Sequence, residues 1–76
     1  MDKQQFQEML GGRIKLARKA ARMSQGELAR RIDLSRQQIS NIETGKKGSN
    51  IWTLARIAFA CRVDLYMLFF VDQEGE

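Results

Sequence analysis

The chemistry this chain is equipped for is concentrated in Arg36, Gln37, Ser40 and Asn41. Asn and Gln side chains bond adenine through paired hydrogen bonds, and Arg does the same with guanine. Other chemistries lack their parts. The chain has no histidine and a single cysteine, Cys61. No Ser–His or Cys–His nucleophile pair is available, and one cysteine cannot build a structural zinc site. Glu27 stands where a helix cap needs a carboxylate. Catalysis is therefore not expected, and no metal or cofactor is implied.

Two helix starts position these side chains. Ser24-Gln-Gly-Glu27 and Ser35-Arg-Gln-Gln38 each have capping-box spacing, in which the Ser oxygen and the Glu or Gln side chain satisfy free amides. Only a short break, Asp33-Leu34, separates the two units, and it contains no proline. Two short helices joined so tightly must cross steeply, as in a helix-turn-helix. On the second helix, at about 100° per residue, Ile39 and Ile42 face inward with Glu43 beside them. Gln37, Asn41 and Thr44 lie opposite, Ser40 flanks them, and Arg36 sits in the first turn. A recognition helix points that end at base edges, so the pattern points to DNA.

The rest of the chain reads as helical. Phe6, Leu10, Ile14, Ala17 and Ala21 recur at three or four residues, which predicts a first helix over about 2–22. Gly11-Gly12 is its expected weak point, because each Gly costs about 1 kcal/mol in a helix interior. The helix is expected to fray there or to begin only after Gly12. Helix two is predicted over 25–32, burying Leu28, Ala29 and Ile32. Helix three is predicted over 36–44, with Gly45 as its left-handed stop. Helix four is predicted over 51–61, burying Leu54, Ile57, Ala58 and Cys61. Asp64 caps a fifth helix over 65–70. The expectation is an all-α, compact five-helix domain over 1–71, with its core in 13–69 and a disordered acidic tail at 72–76.

Size, charge and cysteine content fit this picture. A chain of 76 residues forms one domain, and so small a domain buries only about 60% of the surface its unfolded chain exposes. From Arg13 to Lys47 there are ten basic residues against three acidic ones. From Asp64 onward there are four acids and no base. The first part suits a polyanion and the tail does not. A lone cysteine suggests a reducing compartment. The polar start does not read as a signal peptide, and the apolar run Leu65–Val71 is far short of the roughly 20 residues that span a bilayer. The expectation is a soluble, cytoplasmic protein.

Residues 13–69 resemble the phage-repressor (Cro-like, xenobiotic-response-element) helix-turn-helix family, whose fold is lambda-repressor-like. The markers are Ile14 and Arg18, then Ser24-Gln25, Glu27-Leu28-Ala29, Ser35, Ile39-Ser-Asn-Ile-Glu43 and Gly45-Lys46. Leu54, Ile57-Ala58, Val63, Leu65 and Leu68-Phe69 complete them. The resemblance implies that Gln25 contacts phosphate, and Ser24 at the start of helix two and Gln38 in the first turn of helix three are expected to bind phosphate as well. It implies base contacts from Arg36, Gln37 and Asn41, with Ser40 beside them. Thr44, Lys46, Lys47 and Ser49 match positions near the DNA backbone. Arg18 and Glu43 match a buried ion pair, and Ala29 matches a small residue that lets helices two and three pack closely. Asp33 and Arg62 depart from the pattern by standing where Gly is frequent.

The expected function is a sequence-specific transcriptional regulator of repressor type that binds double-stranded DNA and reads the major groove with helix three. Because one short helix reads few base pairs, a homodimer on a palindromic operator is expected. Trp52 is expected in the core. Phe59 falls off the buried stripe of helix four, and Tyr66, Met67, Phe70 and Val71 add apolar surface nearby. Exposed apolar patches often mark interfaces, so these residues are expected to form the dimer surface or to grip a protein partner, as antitoxins and transcriptional adaptors of this fold do.

Overall fold

The computed structural model describes residues 1–69, and four of its five helices begin on a capping side chain. Helix α1 runs Lys3–Ala20, where Asp2 Oδ1 accepts from the Gln5 amide at 2.7 Å and Gln5 Oε1 accepts from the Asp2 amide. Helix α2, Gln25–Arg31, opens on the reciprocal pair Ser24 and Glu27, at 3.0 and 2.8 Å. Helix α3, Arg36–Glu43, opens on Ser35 and Gln38 at the same two distances, 3.0 and 2.8 Å. Asn50 caps α4, Ile51–Cys61, through the Thr53 amide at 2.8 Å. Helix α5 covers Leu65–Phe69. No strand occurs among the described residues. Helices α2 and α3 each stop one residue earlier than the spacing predicts, and the predicted end of α5 at 70 lies outside the described residues.

Each helix contributes one fully buried side chain to a single core: Ile14, Leu28, Ile39, Ile57 and Leu68. Phe6 and Phe69 stack, with ring centroids 6.4 Å apart, and so join the start of α1 to α5. Cys61 is buried on the core face of α4, and burial raises its thiol above the ordinary value.

Two expectations fail. Helix α1 passes unbroken through Gly11-Gly12. A Cβ on Gly11 would lie 2.4 Å from the Ile42 carbonyl oxygen. Gly11 is therefore where α1 meets the end of α3, and that packing repays its low helix propensity. Trp52 is not in the core but 66% exposed. Leu54, Ile57, Ala58 and Cys61 fill the buried face of α4. Trp52 instead carries the Arg56 guanidinium 5.6 Å from its ring centroid, a cation–π contact.

The two positions without the frequent Gly adopt its conformation anyway. Asp33 has φ 60° and Arg62 φ 61°, as does Arg22 after α1. Each is followed by an amide that reaches back into its helix: Leu34 to Ala29 O at 2.9 Å, Val63 to Ala58 O at 3.0 Å and Met23 to Arg18 O at 3.1 Å. A left-handed non-Gly residue costs about 1–2 kcal/mol, while Gly loses about 0.5–1 kcal/mol through its greater freedom when unfolded. Arg62→Gly is therefore expected to raise stability by up to about 1 kcal/mol. Urea melts of the two proteins check this, and a lower midpoint for the variant would count against the strain.

Candidate nucleic-acid interface

The site is built on a buried ion pair. Arg18 of α1 meets Glu43 of α3 through Nε–Oε2 at 2.6 Å and Nη2–Oε1 at 3.1 Å. Only 8% of the Arg18 side chain and 2% of the Glu43 side chain are exposed. Arg18 Nη1 also donates to Met23 O at 2.7 Å, so the guanidinium holds the approach to α2 as well. The hydrogen bond to Glu43 raises the Arg18 pKa above its ordinary value. Gln25 closes the cluster by donating from Nε2 to Glu43 Oε1 at 3.0 Å. Its side chain is thus engaged with the ion pair in this structure.

Helix α3 lies against α1 and α2 through Ile39 and Ile42, which are buried. Ala29 on α2 is buried too and permits that close crossing. Arg36, Gln37 and Gln38 are exposed on α3, and Ser40 and Asn41 are half-buried. Gln37 Nε2 donates to Asn41 Oδ1 at 3.0 Å, which links two polar side chains one turn apart. The bond uses one of two Gln37 amide hydrogens and leaves Gln37 Oε1 and both Asn41 Nδ2 hydrogens available. That set matches an adenine edge, which needs one acceptor and one donor.

The remaining candidates divide by their local duties. Ser24 Oγ and Gln38 Oε1 are occupied in the two capping boxes. The Ser24 amide holds the Glu27 carboxyl below its ordinary value. Thr44 Oγ1 donates to Ser40 O at 2.9 Å. Lys46 and Lys47 are exposed on the loop after α3, and Ser49 is half-buried there. Phe59 is 87% exposed and Tyr66 67% exposed, with Met67 exposed beside them. Phe70, Val71 and the acidic segment 72–76 lie outside the described residues.

Sequence reasoning missed Gln4 and Gln7. Both donate to Gly45 O, at 3.2 and 3.1 Å. A partial signal was present, because Asp2-Lys-Gln-Gln5 has capping-box spacing and marks a helix start well before Gly12. Among the described residues, no group of three or more His, Cys, Asp or Glu is placed to hold a metal ion. No helix among them is long and apolar enough to cross a membrane.

Comparison with known proteins agrees with this geometry. The family model described as a helix-turn-helix domain matches residues 9–67. The chain is 39% identical over 59 residues to the ImmF control region 10 kDa protein of Bacillus phage phi105. That match covers 78% of this chain and 66% of the phage protein, just under two thirds of its length. Among solved structures, the restriction-modification controller protein C.AhdI from Aeromonas hydrophila superposes with a TM-score of 0.85 at 25% identity, over 91% of this chain and 100% of that one. A hypothetical transcription factor, NHTF, from Neisseria gives a TM-score of 0.84 at 30% identity, over 97% of this chain and 85% of its own.

Proposed function

The chain belongs to the helix-turn-helix family of DNA-binding transcription regulators, and from that premise we propose that it is a sequence-specific repressor that reads the major groove with α3 as a homodimer. The observation that carries this reading is the Gln37–Asn41 pair, hydrogen-bonded to each other on the side of α3 away from the core. Arg36 adds a guanine-matching fork at the first turn. Lys46 and Lys47, with Gln25, Thr44 and Ser49 nearby, supply the backbone side of the contact. Control-region and controller proteins among its relatives support a regulatory role. On this reading it works in the bacterial cytoplasm, as a host or phage product.

Two classes of variant separate the parts. Asn41→Ala is expected to lose about 1–3 kcal/mol of discrimination at one base pair while keeping its affinity for random DNA. Lys46→Ala is expected to weaken all duplexes alike and to lower the slope of log K against log salt by about 0.9. Fluorescence anisotropy at several salt concentrations measures both, and a uniform loss from Asn41→Ala would contradict its assignment to bases.

One short helix reads few base pairs, so pairing matters. Phe59, Tyr66 and Met67 supply exposed apolar surface for a twofold contact. Dimers of this kind set half-sites about 34–36 Å apart on a palindrome. Sedimentation equilibrium should report a dimer that Phe59→Ala dissociates, and a monomer at high micromolar concentration with and without DNA would remove the claim. The exposed Trp52 and Phe59 on α4 also favour a second reading, in which this face grips a protein partner and the domain serves as a protein-binding module.

A further inference from the structure

We propose that Gln4 and Gln7 are positioning residues for the loop that carries Lys46 and Lys47, and so for its grip on DNA phosphates. The inference rests on the assignment of those lysines to the backbone. Gly45 O receives two side-chain amides, Gln4 Nε2 at 3.2 Å and Gln7 Nε2 at 3.1 Å. Both come from the first turns of α1, about forty residues away in sequence and well outside the two-helix unit. The approach is close at the backbone level too. A Cβ on Gly45 would lie 2.8 Å from Glu8 Cα and 2.9 Å from the Glu8 nitrogen, and Gly45 holds φ 80°. Gly48 is bounded by the same helix, with its would-be Cβ 3.0 Å from Gln7 Oε1.

On its other side the loop is tied to α3. Lys47 N donates to Asn41 O at 3.2 Å, and Gly45 N to Ile42 O at 3.2 Å. The segment between these anchors carries both lysine side chains outward. A phosphate contact depends on where a point charge on a flexible stem starts from. A loop released from α1 keeps its charges but spends fewer of its conformations within reach of phosphate. The amides act through the loop and touch no DNA themselves.

The test uses Gln4→Met/Gln7→Met, which keeps side-chain length and helix propensity but removes both donors. It is compared with Lys46→Ala/Lys47→Ala and with the combination of all four changes, on duplexes recovered from random DNA by the unmodified chain. The glutamine variant should lower the salt slope by about 0.9 for each phosphate that is no longer neutralised, leave the preferred sequence unchanged, and cost little or nothing further when added to the lysine variant. Gln7→Met alone should show a smaller effect of the same kind, which keeps the test informative if the double variant folds poorly. A normal salt slope in the glutamine variant, beside a reduced one in the lysine variant, overturns the inference and spares the functional reading. A normal slope in the lysine variant overturns both. Losses that add fully in the combined variant also overturn the inference, because they show the glutamines acting independently of the loop.

Discussion

Gly11→Ala should be among the most damaging single substitutions in this domain, while Gly12→Ala, one residue on, should stabilise it. The added methyl at position 11 would stand 2.4 Å from Ile42 O, 2.5 Å from Glu43 O and 2.8 Å from Glu43 C. All three are backbone atoms, so no side chain can swing aside and α1 must move away from α3. Overpacking costs about 1–3 kcal/mol, and a clash with rigid backbone atoms belongs at the upper end of that range. At position 12 nothing lies within 4 Å of the added carbon. There the exchange of Gly for Ala gains about 1 kcal/mol of helix propensity, or roughly 4–8 °C in melting temperature for a domain of this size. Thermal melts followed by circular dichroism read both signs at once. Equal shifts for the two variants would show that α1 and α3 do not meet at Gly11.

Glu43→Ala is the second large effect. It leaves the Arg18 guanidinium buried without its carboxylate and removes the acceptor of Gln25. Stranding a charge this way costs about 3–5 kcal/mol, close to the whole stability of a small domain, of the order of 5 kcal/mol. Replacing both partners, as Arg18→Met with Glu43→Leu, should recover most of the loss, since an apolar pair of similar size avoids the desolvation penalty. Urea denaturation of the two single variants and the double variant measures the coupling. A midpoint for Glu43→Ala equal to that of the unmodified chain would contradict a structural role for the pair.

What was legible in the sequence followed the range of the interactions. The capping boxes at Ser24 and Ser35 depend on residues three apart, and their spacing alone located α2 and α3. The buried stripe of α4, Leu54, Ile57, Ala58 and Cys61, was legible because helical periodicity marks one face. Trp52 was misread because its expected burial rested on the size of its aromatic ring, whereas the buried stripe of α4 runs through Leu54, Ile57, Ala58 and Cys61 and leaves Trp52 exposed. Gly11 was misread for a related reason: local propensity scores it as a helix breaker, whereas α3 needs its missing side chain. The Gln4 and Gln7 bonds to Gly45 were legible only in part: the Asp2–Gln5 spacing marks the helix that carries them, but a surface glutamine on a helix has many equivalent outlets. Asp33 and Arg62 show the converse. Each looked like a departure at a turn, yet each takes the left-handed conformation, with the following amide bonded back into the helix it ends.

The same distinction organises the proposed recognition surface. Ser24, Ser35, Glu27 and Gln38 are spent on caps, and Arg18 and Glu43 on the ion pair, which Gln25 joins through one Nε2 hydrogen. The caps open α2 and α3, and the ion pair ties α3 to α1. Gln37 and Asn41 are spent only on each other. Their bond predicts that they act on the DNA as a unit, so the loss from changing both should be smaller than the sum of the single losses.

Selection of binding sites from random double-stranded DNA by the unmodified chain, repeated with Gln37→Ala/Asn41→Ala, shows whether α3 reads bases. The unmodified chain should enrich a palindromic motif with half-sites one helical turn apart, about 10 base pairs. The variant should lose sequence preference within each half-site. An identical motif from both proteins, or no enrichment by the unmodified chain, would contradict the assignment of α3 as the reading helix.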